Sequence, residues 1–148
     1  MGDRGAAASS AGVVPNRLGA CCGLGQDVPI AGTVISSDIA DGQDFLAAQG
    51  FHGDAIVTNP PYAQATEFIE HALSLTASSG VVAMLLRTDF DHPKSRQHLF
   101  SHSAFSKKLV LTKRIKWFED SKGQPSFNHA WFVWDHRHKG PPTLAYGP

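Results

Sequence analysis

The chain lacks an excess of charge of either sign. Its 148 residues contain 13 Lys plus Arg and 13 Asp plus Glu, which gives no formal net charge at pH 7. A protein that binds nucleic acid tightly on its own depends on phosphate contacts and usually carries a positive excess, so the composition argues mildly against that class. Local basic clusters at Lys107 and Lys108, at residues 113–116 and at residues 137–139 are interpreted as solvated surface.

Cysteines and long apolar runs are also scarce. The two cysteines, Cys21 and Cys22, are neighbours, and adjacent residues neither bridge readily nor provide metal-site spacing. No segment approaches the ~18 apolar residues that span a bilayer, and the N-terminus lacks the basic and apolar regions of a secretory signal. The eight histidines show no ligand spacing. These absences predict a cytoplasmic protein with no membrane partner and no metal centre.

The length and composition fit one globular domain. Hydrophobic residues make up 42% of the chain, which is enough to bury a core. Residues 1–18 are small, polar and aperiodic, and we expect a flexible N-terminal tail there. The folded domain is predicted to cover residues 19–136, and residues 137–148 are predicted to form a C-terminal tail.

Apolar patterns in the folded part alternate between strands and helices. Helical periodicity predicts helices at residues 66–75 and 93–100. Strands are predicted at residues 33–37, 55–58, 81–86, 109–111 (continuing toward 118) and 130–134. This alternation predicts an α/β fold whose sheet is mostly parallel and ends in an antiparallel hairpin.

The most specific motif is Asn59-Pro60-Pro61-Tyr62. It follows the strand at 55–58 and precedes a helix, so it lies at the carboxyl end of a strand, where open α/β sheets bind ligands. The motif resembles that of the S-adenosylmethionine (SAM)-dependent amino-methyltransferases, most of all the phage- and prophage-type DNA adenine-N6 methylases. The alternative is a Pro-Pro turn that ends a strand, with Tyr62 as an aromatic residue at a helix start.

This resemblance implies a Rossmann-like class I methyltransferase fold and methyl transfer from SAM to an exocyclic amino group. Such an amine is a poor nucleophile because its lone pair is delocalised into the ring. The Asn59 side-chain oxygen and the Pro60 carbonyl would accept hydrogen bonds from the amine and free its lone pair. Tyr62 would stack on the base, which is worth ~1–3 kcal/mol, and in duplex DNA the base would be flipped out of the stack.

The resemblance also assigns cofactor contacts. Asp38, followed by Ile39, would hold the ribose hydroxyls, since a carboxylate accepts from both at once. Asp44 would accept from the adenine amine, with Phe45 beside the ring, and Asn59 would border the cofactor. Two alternatives stay open: Asp38 as a solvent-facing turn residue and Asp44 as a helix N-cap.

Gly23 and Gly25 resemble the glycine loop that approaches the amino-acid part of SAM. Only residues 26–32, which include Pro29 and Gly32, separate this loop from the strand at 33–37. A parallel crossover normally needs a dozen or more residues, usually with a helix. The sequence therefore predicts that the first strand and helix of the fold are abbreviated or missing.

Polar residues near the ends of two strands are predicted to border the substrate: Arg87 and Asp89 after one, Asn128 and His129 before another. Arg87 would either meet a phosphate or pair with Asp89. The predicted partner is nucleic acid, with DNA first. The alternatives are a ribosomal RNA base or a protein glutamine amide as the substrate, or a catalytically degenerate remnant or partner subunit.

Overall fold

The computed structural model describes residues 44–49, 54–76, 79–113, 115 and 127–147 of the chain. The strands in these segments are β1 (Ala55–Thr58), β2 (Val81–Arg87), β3 (Phe105–Leu111), β4 (His129–Asp135) and β5 (Thr143–Gly147). The α-helices there are α1 (Ala65–Leu75) and α2 (Gln97–Phe100), and 3-10 turns occur at Phe45–Ala47, Tyr62–Gln64 and Lys94–Arg96. None of these helices has the length and apolar character to cross a membrane. The predicted N-terminal tail and the predicted strand at 33–37 lie outside the described residues.

The described strands form one mixed sheet in the order β1-β2-β4-β3-β5. β1 is parallel to β2 and β3 is parallel to β5, whereas β4 is antiparallel to its neighbours β2 and β3. Four strands therefore point the same way, and their carboxyl ends share one edge with the start of β4. The predicted α/β class, with a mostly parallel sheet and a C-terminal antiparallel pair, is confirmed at this level.

Helix α1 covers one face of the sheet because its apolar residues repeat at helical spacing. Phe68, Ile69 and Ala72 are buried, whereas Glu67 and Glu70 are exposed. The buried side chains join a cluster that also includes residues of β2, β4 and α2. A hydrogen bond also joins β4 to α2 within this cluster, since Trp134 Nε1 donates to the Leu99 carbonyl over 2.9 Å.

Strand β2 is covered on both faces, as its continuous apolar run predicts. Every side chain from residue 81 to residue 86 is buried. The side chains alternate between the cluster under α1, which contains Val82, Met84 and Leu86, and a cluster on the opposite face, which contains Val81, Ala83 and Leu85. Because β2 lies between β1 and β4, the loop after β1 and the turn after β2 reach the same sheet edge.

The prediction of a C-terminal tail from residue 137 onward is wrong for residues 143–147. These residues form β5, which pairs with β3 from Lys107↔Thr143 to Leu111↔Gly147. Strand β5 is at an edge of the described sheet and exposes Leu144 and Tyr146, so it lacks the buried apolar pattern by which the other strands were predicted. The sheet therefore extends past residue 136.

The interpretation of Lys108 as solvated surface is also wrong. Its side chain is 19% exposed, and its ammonium lies 2.7 Å from Asp91 Oδ2 and 2.8 Å from the Thr88 carbonyl oxygen. The ammonium also lies 5.2 Å from the centre of the Phe132 ring. A long aliphatic stem can cover apolar surface while its charged end finds a partner. Strand β3 begins at Phe105 rather than at the predicted residue 109, and it pairs with β4 from that residue.

Candidate functional site

The loop Asn59-Pro60-Pro61-Tyr62 leaves β1 at the carboxyl edge of the sheet, as predicted. Pro60 is buried, Asn59 and Pro61 are half-buried, and Tyr62 is 43% exposed. The carbonyl of Pro61 accepts from Gln64 N over 3.0 Å, which starts the 3-10 turn before α1. Within the described segments, neither the Asn59 side-chain amide nor the Pro60 carbonyl forms a hydrogen bond with another residue. Both acceptors therefore lack a protein partner in these segments, and Asn59 is the more exposed of the two residues.

The hydroxyl of Tyr62 is held by two neighbouring strands. It lies 3.1 Å from His129 Nε2, at the first residue of β4, and it also interacts with the backbone of Arg87, the last residue of β2. Arg87 and His129 are register partners in the sheet. Burial raises the pKa of Tyr62, so the phenol stays protonated at neutral pH. The ring is thus fixed at its hydroxyl end while much of its surface remains exposed.

The imidazole of His129 lies inside the sheet edge, and the residue is 4% exposed. Burial lowers the pKa of His129, and an interaction with the Phe127 backbone offsets part of that effect. A neutral imidazole carries one proton. The phenol donates to Nε2 in the tautomer protonated on Nδ1, and the imidazole donates in the other tautomer. In both tautomers His129 is uncharged and its Nε2 orients Tyr62.

Arg87 pairs with Asp89, which decides between its two predicted roles. Arg87 Nη2 lies 2.8 Å from Asp89 Oδ2, and Arg87 Nε lies 3.1 Å from Asp89 Oδ1. The guanidinium also lies 4.2 Å from the centre of the Phe127 ring. Its charge is therefore already matched by a carboxylate in a two-point contact, so Arg87 contributes no unpaired positive charge beside Tyr62.

Asn128 connects the start of β4 to the turn after β2. Its carbonyl accepts from Thr88 N over 3.1 Å, and the residue is exposed. The structure thus brings Tyr62, Arg87, Asp89, Asn128 and His129 together at one edge. These residues come from three separate parts of the chain.

Asp44 and Phe45 have structural partners of their own. Asp44 caps the 3-10 turn Phe45–Ala47, since its Oδ1 accepts from Leu46 N over 3.0 Å. Phe45 is 6% exposed, and its ring centre lies 5.0 Å from that of Phe68 and 5.2 Å from that of His71. The alternative of Asp44 as an N-cap is confirmed, and Phe45 offers little free ring surface to an adenine. Gly23, Gly25, Asp38 and Ile39 lie outside the described residues.

Two parts of this edge were not found in the sequence. One is the ion pair between Lys108 and Asp91, and the other is a cavity between the turn after β2 and strand β5. Neither has a local sequence signal, because the ion pair depends on the position of β3 relative to the turn after β2, and the cavity depends on the pairing of β5 with β3. Within the described segments, no three His, Cys, Asp or Glu side chains are placed to hold a metal ion. In comparisons with protein families, curated proteins and solved structures, nothing matches this chain.

Proposed function

We propose that this chain is a SAM-dependent methyltransferase domain that acts on an exocyclic amino group, with adenine N6 in DNA as the first candidate. One observation carries the proposal. Two hydrogen-bond acceptors, the Asn59 amide oxygen and the Pro60 carbonyl, have no partner in the described segments and lie beside the half-exposed Tyr62 ring. An amino group on an aromatic ring complements these three groups, because it offers two N–H protons to the acceptors and a flat ring face to Tyr62.

Each group has a defined task in the proposed reaction. The two acceptors bind the two amine protons, which favours a pyramidal nitrogen whose lone pair points away from the ring system. Tyr62 holds the plane of the base, and its hydroxyl contact with His129 keeps the ring in place. Holding the reacting groups in line can supply ~7–11 kcal/mol of the barrier, so the residues work by position rather than by proton transfer.

The cofactor would supply a methyl group bonded to a positively charged sulfur. The amine nitrogen would accept that methyl and release one proton to solvent, and the sulfur would leave as a neutral thioether. Among the described residues, Asn59 fits the border of the cofactor site because its amide is unpaired at the carboxyl end of β1. The strand directions also agree with the plan of a Rossmann-like methyltransferase, a mostly parallel sheet with one antiparallel strand.

A protein glutamine amide is the second candidate substrate. Two described cations at this edge, Arg87 and Lys108, are each paired with an aspartate. A neutral surrounding suits a side-chain amide, whereas a tightly bound nucleic acid needs unpaired cations for its phosphates. A protein glutamine amide is therefore tested as a substrate beside the nucleic acids.

Methyl transfer from labelled SAM to DNA, RNA and protein mixtures tests the proposal. We expect Asn59→Ala to lose at least ~100-fold in rate, the size found when one positioned hydrogen-bonding group leaves an active site. The variant should unfold at the same denaturant concentration as the parent, because the Asn59 side chain holds no other described residue. Gln97→Ala, which removes an exposed side-chain amide away from the candidate site, is the control. Equal transfer by the parent and Asn59→Ala would refute the assignment.

A further inference from the structure

Strand β5 presents backbone groups at an edge of the described sheet. The Gly147 carbonyl accepts from Thr112 N over 2.9 Å, so Gly147 directs its backbone groups toward β3. Successive residues of an extended strand direct their N–H and C=O groups to opposite sides, so Leu144 and Tyr146 direct theirs away from β3. Among the described strands, only β3 pairs with β5. Two donors and two acceptors therefore face outward along this edge.

The side chains of Leu144 and Tyr146 lie exposed on one face of the sheet. Their register partners on β3 are Lys108 and Val110, and paired residues project to the same face. Leu144 is 59% exposed and Tyr146 is 69% exposed. A hollow of about 490 Å³ lies beside them, and the described residues that line it belong to neither α1 nor α2. The described helices therefore leave the apolar side chains of this edge uncovered.

The outward groups are arranged symmetrically about Ala145, so a second copy of the same strand complements them. When the second strand runs in the opposite direction with the two Ala145 residues adjacent, Leu144 of each copy lies opposite Tyr146 of the other. Opposed residues at such positions exchange both N–H···O bonds, so all the outward donors and acceptors of both copies would be paired. Opposed side chains share a face, so each leucine would also pack on a tyrosine ring.

The charge of this region also fits a second copy. Residues 140–148 contain no charged side chain, and the chain has no net charge. Two copies therefore meet without repulsion, whereas a strongly charged partner gains no attraction from this strand. Exposed edge strands are commonly protected from pairing by charged side chains, and β5 has none. Pro142, two positions before Leu144, has no N–H to donate, so the pairing ends there.

The size of the contact sets the strength of such an assembly. Two tyrosine side chains bury ~300–500 Å² together when each is fully covered. With two leucines and two short backbones added, the total stays below the ~1,200 Å² at which standard stable interfaces begin. Interfaces below that size belong to weak and transient complexes, so the assembly should form and dissociate reversibly.

We infer that two copies of this chain form a weak symmetric dimer through antiparallel pairing of their β5 strands, centred on Ala145. The same surface is used by both copies, so the contact closes on itself and does not propagate into a fibre. Because the second sheet runs in the opposite direction, the two candidate sites face away from each other. The dimer is independent of the proposed function, since neither Asn59 nor Tyr62 takes part in it.

Sedimentation equilibrium of the full chain between ~1 µM and ~1 mM, the affinity range of weak complexes, tests the inference. The double variant Leu144→Lys with Tyr146→Lys sets lysine opposite lysine in both side-chain pairs. Its dissociation constant should rise ~10-fold or more, because like charges replace two apolar pairs. The control Gln97→Lys with Ser103→Lys adds the same charge at two exposed positions outside β5, and it should stay within about twofold of the parent.

A charge-swapped variant tests the register itself. Leu144→Lys with Tyr146→Glu sets opposite charges against each other in both pairs of the antiparallel dimer. This variant should dimerise at least ~5-fold more tightly than the double-lysine variant. Both substituted side chains are largely exposed in the parent, so each variant should keep the unfolding midpoint of the parent within a small margin in urea.

Amide hydrogen exchange of the parent adds a measurement that needs no variant. Exchange at the N–H groups of Leu144 and Tyr146 should slow as the concentration rises through the dissociation constant. A parent that stays monomeric to ~1 mM, a double-lysine variant that dimerises as the parent does, or exchange at these two groups that ignores concentration would each overturn the inference. A charge-swapped variant no tighter than the double-lysine variant would overturn the antiparallel register.

Discussion

The hydrogen bond between the Tyr62 hydroxyl and His129 gives a prediction whose size follows from the structure. The Tyr62→Phe variant keeps the ring but removes the hydroxyl that lies 3.1 Å from Nε2 of His129, a residue that is 4% exposed. A typical hydrogen bond contributes ~0.5–1.5 kcal/mol, and leaving a buried partner unsatisfied costs ~1–3 kcal/mol. Because Tyr62 itself is 43% exposed and water can reach part of the site, we expect a loss of ~1–2 kcal/mol in the free energy of unfolding.

Urea denaturation measures this loss as a lower midpoint at an unchanged slope. Tyr146→Phe is the matched control, because its hydroxyl is exposed and unpaired among the described residues, and we expect a change below ~0.5 kcal/mol. In a His129→Leu background, Tyr62→Phe should cost clearly less than in the parent, since the imidazole is already gone. Equal costs in both backgrounds would show that the pair does not stabilise the fold.

Two further predictions concern pH and the turn before β2. Burial lowers the pKa of His129, so the unfolded chain binds more protons there than the folded chain. The contribution of this residue to stability is complete above the ordinary pKa of ~6.5, and it is lost as the pH falls from that value through the lower pKa of the folded state. The parent should therefore lose more stability than His129→Gln between neutral and mildly acidic pH in urea titrations, and parallel profiles would contradict this. Gly80→Ala should destabilise by ~1–3 kcal/mol in the same assay, because an added Cβ would lie 2.6 Å from Thr76 Cβ. Gly147→Ala is the control, since its Cβ would meet a flexible leucine end at 3.2 Å, and equal losses in the two variants would refute the steric argument.

The parts of the fold that were predicted correctly are those with a local pattern. The run at residues 81–86 is apolar throughout because β2 is covered on both faces, and α1 shows its buried face at helical spacing. Strand β5 was missed because its side chains are exposed or half-buried, so its position comes from backbone pairing with β3. The start of β3 was missed for a related reason. Lys108 interrupts the apolar pattern in the sequence, although its side chain is mostly buried in the structure.

The predictions for the candidate site divide in the same way, between local features and contacts that depend on the fold. The position of Asn59 at the carboxyl end of β1 depends only on its neighbours in the chain, and the prediction was correct. The contact between Tyr62 and His129 joins residues 67 positions apart, and it depends on the insertion of β4 beside β2. The sequence likewise left two roles open for Arg87, because the choice depends on the turn that returns Asp89 to the guanidinium.

The way in which Tyr62 is held has a consequence for any ligand that stacks on it. Its hydroxyl is fixed by the end of β2 and the start of β4, so the cost of ordering this side chain is met during folding. A flexible aromatic side chain would instead lose ~0.5–1.5 kcal/mol of conformational freedom when the ligand binds. Removal of the Tyr62 hydroxyl should therefore weaken ligand binding less than removal of the whole ring. The loss would come from the greater freedom of the ring. In the proposed site, an ordered ring surface would supply affinity that the chain, with no net charge, does not gain from long-range attraction.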